Sequence, residues 1–209
     1  MKSPLGLALG VLFLLASRAD AQLIVVEPDN YPDFSVMNDV VPQVHLFTAG
    51  TNNLPHPPRG FDVTARTSTF PFLPPTGTNV FAHANVPFWN TDRRLRMDFA
   101  GQVSSLSIDF QAGTSLTQEV GRLEVYDANG ALLDTYLTTR LEGGQIETMT
   151  ITRPNPDIQW AVAYSDESGF PFGRLDHLRF TTPIPEPATW LLVSAGLGLW
   201  LFVSKRRKH

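Results

Sequence analysis

Through the second half of the chain apolar residues recur at every second position. Leu106, Ile108 and Phe110 alternate with Ser107 and Asp109; Leu123 and Val125 alternate with Arg122, Glu124 and Tyr126; Ile158, Trp160, Val162 and Tyr164 continue the pattern. A period of two is that of a half-buried strand, and it places Trp160 in the core. Asp127-Ala128-Asn129-Gly130 supplies a turn in which Asn-Gly takes positive φ, pairing 121–126 with 132–138. Glu142-Gly143-Gly144-Gln145 turns the chain into 146–152, Arg153-Pro154-Asn155-Pro156-Asp157 leads into 158–164, and 175–180 reads as the closing strand. Before residue 95 the pattern is punctuated. Stretches 31–39 and 51–59 are rich in Asp, Asn and Pro, and 70–75 holds too many prolines for a central strand, because proline donates no ladder hydrogen bond. Short apolar pieces at 44–47, 61–65 and 80–84 are the strands between these loops. Eight or nine short strands with no helical window predict an all-β fold, a single antiparallel β-sandwich of jelly-roll type.

The two ends follow other rules. Residues 1–21 combine Lys2, an apolar run over 5–16 and the small-x-small site Ala19-Asp20-Ala21, so signal peptidase is expected to leave Gln22 as the first mature residue. At the other end, no residue is charged from Ala188 to Val203, and the run is followed by Lys205, Arg206, Arg207 and Lys208. As a helix that run covers roughly 24 Å against a hydrocarbon core of about 30 Å, a minimal span that Trp190, Trp200 and snorkelling basic side chains extend. The expected organisation is a signal peptide (1–21), a sandwich ectodomain (22–182) and an anchor segment (183–209), with the transmembrane helix at about 188–204 and the basic tail at 205–209. The basic cluster faces the cytoplasm and the body lies outside it.

Pro185-Glu186-Pro187, the apolar helix and the basic cluster stand in that order within about 25 residues. This arrangement resembles the PEP-CTERM sorting signal of bacterial exosortase substrates. The resemblance implies an inner-membrane precursor, cleavage near the motif by an exosortase-type enzyme, and delivery to the cell surface or extracellular polysaccharide. Within the body, the Ser-x-Asp-Phe strand, the Leu-Glu-Val-Tyr-Asp-Ala-Asn-Gly hairpin and the Leu-Asp-x-Leu-x-Phe strand resemble galactose-binding-like β-sandwiches, which include many carbohydrate-binding modules. That resemblance implies a structural Ca²⁺ with Asp176 as a ligand, although His177 stands where Asn or Asp is usual.

Charge and composition narrow the function. Residues 22–182 carry ten basic and eighteen acidic side chains, a net charge of −8, and no lysine. Such a surface opposes binding to nucleic acid or anionic lipid. With no cysteine, disulfides, thiolate metal sites and thiol catalysis are excluded. His45, His56, His83 and His177 show no metal-ligand spacing, Ser168-Gly169 lacks a nucleophile elbow, and Asp166-Glu167 reads as a solvated loop. Asp127 and Asn129 imitate the opening of a calcium loop, but the hairpin explains them. The expectation is a non-enzymatic surface or matrix protein with a structural or adhesive role. A carbohydrate-binding module for extracellular polysaccharide is the second reading, with Phe70, Phe72, Phe88 and Trp89 as loop aromatics, Phe88 and Trp89 foremost. A hydrolase is the third, and it would need clustered acids that the sequence does not display.

Overall fold

A computed structural model describes residues 21–55, 62–69, 71–113, 118–166 and 173–183. Gln22–Pro183 forms one compact unit, and residues 1–20 and 184–209 lie outside the described residues. The predicted anchor helix, the sorting motif Pro185-Glu186-Pro187, the basic tail Lys205 to Lys208 and Ala19 of the cleavage site all fall outside them. Ala21 and Gln22 open the first strand.

Among the described residues eleven strands follow one another: β1 (Ala21–Val26), β2 (Val44–Ala49), β3 (Val63–Thr67), β4 (Asn79–His83), β5 (Arg94–Val103), β6 (Ser105–Gln111), β7 (Gly121–Tyr126), β8 (Leu132–Leu137), β9 (Ile146–Thr152), β10 (Ile158–Ser165) and β11 (Arg174–Pro183). The first sheet runs β3-β4-β11-β6-β9, with β1 also on β11; the second runs β2-β5-β10-β7-β8. Orders β4-β11-β6-β9 and β5-β10-β7-β8 are the two four-stranded halves of a jelly roll, so the expected all-β sandwich stands. β1, β2 and β3 are additions to it. β1 and β5 are strands beyond the pieces named from alternation. In β5 the buried Leu95, Met97 and Phe99 alternate with Arg94, Arg96 and Asp98, and the arginines hide a strand that is half core.

The core is filled from both inner faces. Phe81, Leu106, Ile108, Phe110, Leu175 and Phe180 from the first sheet meet Leu46, Leu95, Met97, Phe99, Leu123 and Val125 from the second. Phe99 and Phe180 bridge the layers with ring centroids 5.0 Å apart. Alternation in β10 misassigns Trp160. A register irregularity between Ile158 and Trp160 turns the chain over, so Ala161 and Ala163 face Met97 and Leu95 across the ladder. Trp160, Val162 and Tyr164 then point to the outer face. There Trp160 is half-buried and stacks on Tyr126 at 3.8 Å and 6°, with the Arg96 guanidinium 3.9 Å from the Trp160 ring. The hairpin turn also differs from expectation: only Gly130 takes positive φ (80°), while Asp127 Oδ1 accepts from Asn129 N and Ala131 N, each at 2.8 Å. That carboxylate is held below its ordinary value first by the Ala131 hydrogen bond, which leaves the turn self-sufficient without calcium.

Candidate metal centre at the closing strand

Glu27, Asp29 and Asp176 come together although the chain separates them widely. One ligand oxygen from each lies within 4.8 Å of the others. Local chemistry explains each position. Glu27 caps a 3₁₀ turn, Pro28–Asn30, whose first residue is a proline that needs no N–H there. Asp29 lies in that turn and is wrapped by the 76–79 loop: its Oδ1 accepts from Thr78 N at 2.7 Å and Asn79 N at 2.9 Å. Asp176 sits on β11 at an irregularity between Asp176 and Arg179, where His177 adopts φ +49°. Across the ladder Asp176 pairs with Asp109, on the face opposite the core residue Leu175, and the Thr76 loop and Glu27 cover it to 0% exposure. Its Oδ2 accepts from Thr76 N at 3.1 Å, and its Oδ1 from His177 N at 2.8 Å.

Three carboxylates at this spacing repel one another, and the donors around them leave one oxygen without a hydrogen bond. The Thr76 hydroxyl lies 2.9 Å from Glu27 Oε1 and 2.8 Å from Asp176 Oδ2, but its single proton serves only one of them. His177 Nδ1 lies 2.7 Å from Glu27 Oε2. Asp29 Oδ2 is buried and has no hydrogen-bond partner. Burial, reinforced by the Glu27 charge and opposed by the Thr76 hydrogen bonds, pushes the Asp176 carboxyl up to about 7. A proton on Asp176 or a bound cation relieves such a site. The donor set, all oxygen and strongly acidic, fits a hard divalent cation of the Ca²⁺ type, which takes six to eight oxygens. Glu27, Asp29 and Asp176 would hold it.

Gly77 makes the close approach possible. It has φ +45°, and a Cβ there would collide with the Asp29 carboxyl group. Gly77→Ala is therefore expected to displace either the loop or Asp29, weakening Ca²⁺ binding at least tenfold and lowering stability by roughly 1–3 kcal/mol. Calorimetric titration and thermal denaturation of that variant check both parts.

The other sequence candidates are placed as follows. Trp89 is 0% exposed, and its Nε1 donates to Phe81 O at 2.8 Å. It is an interior wedge edge-on to His83, so the expectation that it stacks on a sugar is corrected. Phe88 is half-buried, with the Arg174 guanidinium 5.8 Å from its ring. Phe72 packs beside Gly144 and gives its carbonyl to Arg174, whereas Phe70 and His56 lie outside the described residues. Asp166 accepts from Arg122 at 3.0 Å, and Glu167 and Ser168 are also outside. Among the described residues His45 lies apart from the acidic cluster, 2.7 Å from Asp39. The sequence pointed to Asp176 alone; Glu27 and Asp29 were missed. Their available signal was Glu-Pro-Asp, two carboxylates flanking the residue that starts a tight turn.

No protein-family model matches the chain, and no curated protein does. Among solved structures it is similar to the K2 cleaved adhesin domain of Lys-gingipain, at 10% identity and TM-score 0.39, over 77% of this chain and 100% of that one. It is also similar to the K1 cleaved adhesin domain of Lys-gingipain from Porphyromonas gingivalis W83, at 12% identity and TM-score 0.35, over 76% and 97%. A CBM4 structure is similar at 12% identity and TM-score 0.33, over 72% and 93%.

Proposed function

We propose that this chain is an exported, non-enzymatic surface or matrix protein, structural or adhesive in role, whose jelly roll is locked by a bound Ca²⁺. The observation that carries the lock is the meeting of Glu27, Asp29 and Asp176 around a buried, unpartnered carboxylate oxygen. A cation there ties the segment after β1 and the 76–79 loop to β11. Such a site braces the fold; among the described residues it is the one such gathering of His, Asp and Glu side chains. Bracing matters for a secreted domain with no cysteine, which cannot use disulfides. Extracellular modules bind Ca²⁺ at about 10⁻⁴–10⁻³ M, so the lock would set outside the cell rather than before export.

Export and sorting belong to the same proposal and rest on the two ends of the sequence. Signal peptidase removes 1–21, the apolar run over 188–204 holds the precursor in the inner membrane, and an exosortase-type enzyme cuts near Pro185-Glu186-Pro187. Replacing those three residues with alanine is expected to leave uncut precursor in the membrane fraction and to remove the shorter form from the surface and medium. Immunoblots of fractionated cells read the result; equal release of the variant would sink the sorting assignment.

A further inference from the structure

On the outer face of the second sheet, with none of the residues of the acidic cluster in its lining, the chain builds a groove that neither the jelly roll nor the cation site requires. Its wall is the loop after β2. Gly50 N donates to Leu54 O and Asn53 N to Gly50 O, each at 2.9 Å, and Ala49 bridges to Pro55. Asn53, at φ +61°, is the staple that folds this loop over the sheet. Its carbonyl accepts from Arg96 at 2.6 Å, its side-chain oxygen from Arg94 at 2.7 Å, and its Nδ2 donates to Tyr126 Oη at 3.2 Å. Between the loop and the sheet lies an open groove of about 410 Å³, bounded by Leu54 and Pro55 on one side and by β2, β5 and Asn38 on the other. That volume is within the range of about 300–1,000 Å³ typical of small-ligand sites.

The lining has two characters. Phe47 is half-buried, with His45 tilted against it at 5.6 Å and the Arg96 guanidinium 5.3 Å from its ring. With Leu54 and Pro55 it offers an apolar platform. Around that platform stand Asp98 and His45, whose side chains remain 37% and 49% exposed. Both are oriented by partners: Arg96 Nε donates to Asp98 Oδ1 at 2.7 Å, and His45 Nδ1 lies 2.7 Å from Asp39. Asn38 is spent on Asp62 and Val63 N and acts as wall. Arg96 is paired with Asp98, and His45 is hydrogen-bonded to Asp39, on a domain of net charge −8. Among the described residues nothing here concentrates positive potential for a phosphate, sulfate or uronate.

We propose that this groove binds a neutral pyranose residue of an extracellular glycan, its C–H face against Phe47 and its hydroxyls on Asp98 and His45. A pyranose carries one apolar face and an edge of hydroxyls that both donate and accept. An aromatic platform rimmed by an oriented carboxylate and imidazole matches that pattern. The proposal does not depend on the cation lock or on sorting.

The test uses the full chain purified in mild detergent with Ca²⁺ present. Calorimetry measures binding to neutral gluco-, xylo-, manno- and galacto-hexasaccharides and to extracellular polysaccharide extracted from the host, with polygalacturonate as the anionic control. The expected result is saturable binding to at least one neutral glycan and none to polygalacturonate. Phe47→Ala and Asp98→Asn should each weaken it tenfold or more, and Phe88→Ala should leave it unchanged. Thermal denaturation checks that each variant folds; if Phe47→Ala does not, Asp98→Asn decides. Binding to no neutral glycan, preference for the anionic polymer, or affinity indifferent to Asp98→Asn would overturn the proposal. Failure of the cation lock would instead appear as an unchanged melting temperature in chelator, with glycan binding intact.

Discussion

Trp89→Ala is expected to destabilise the domain by about 3–5 kcal/mol, the cost of removing a large aromatic from a closed interior. The ring is fully buried, edge-on to His83 with centroids 5.3 Å apart, and its N–H satisfies the Phe81 carbonyl. Truncation leaves both a cavity and an unpaired buried acceptor. For a domain of this size the melting temperature should fall by roughly 6–20 °C. Phe88→Ala, at a half-buried position, should cost less than half as much. Thermal denaturation of the two variants side by side checks the ranking. Equal small losses would mean that Trp89 lies at the surface after all and would return it to the candidates for a ligand platform.

The second large effect is reciprocal between calcium and protons. Asp176 in the folded, metal-free domain titrates at about 7, above the ordinary 3.8. The sign follows from linkage: between those values the native state holds a proton that the unfolded state has released, so stability falls as pH rises through the window. In chelator, the melting temperature is therefore expected to increase on going from pH 8 to pH 5.5. With saturating Ca²⁺ the carboxylate is ionised and bound, and that increase should vanish. At a hundredfold excess over Kd, Ca²⁺ at pH 8 adds about 2.7 kcal/mol, or roughly 5–11 °C. Asp176→Asn removes the buried charge, so it should lose both the calcium increment and this part of the pH dependence. Asp33, Glu147 and Asp157 have carboxyls held below their ordinary values, the last mainly by its hydrogen bond from Arg153. They lose stability only in stronger acid, outside the window. Taking the difference between the native chain and Asp176→Asn cancels contributions common to both.

Much of the sandwich was legible because its strands obey the period-two rule on one buried face. Gly121–Tyr126 and Ile146–Thr152 begin and end where alternation and turn residues place them. β10 was legible as a strand but not in its facing, because an irregularity after Ile158 reverses the side-chain sense without leaving a mark in the hydrophobic pattern. Both of its faces are covered, one by the core and the other by Arg94 and Arg96 under the Asn53 loop, so Val162 and Tyr164 look like core from either side. Trp89 was misread for a related reason: proline and exposed neighbours announce a loop, yet the residue after Phe88 dives inward to cap the interior. Of the candidate metal centre, only Asp176 could be read. Its partners come from a turn nearly 150 residues away, and nothing local to Glu27 or Asp29 says which strand they will meet. The groove was invisible for the same reason, since it exists only once the 50–55 loop has folded over β5.

The most direct test of the central claim is calorimetric titration of Ca²⁺ into metal-stripped full chain at pH 8, repeated with Asp176→Asn. The account predicts one saturable site whose occupancy raises the melting temperature by at least several degrees, with both heat and stabilisation lost in the variant. An unchanged melting temperature in calcium and in chelator, with no saturable heat, would contradict it and leave the three carboxylates held by a proton on Asp176 and by the hydrogen bonds from Thr76, Thr78, Asn79 and His177.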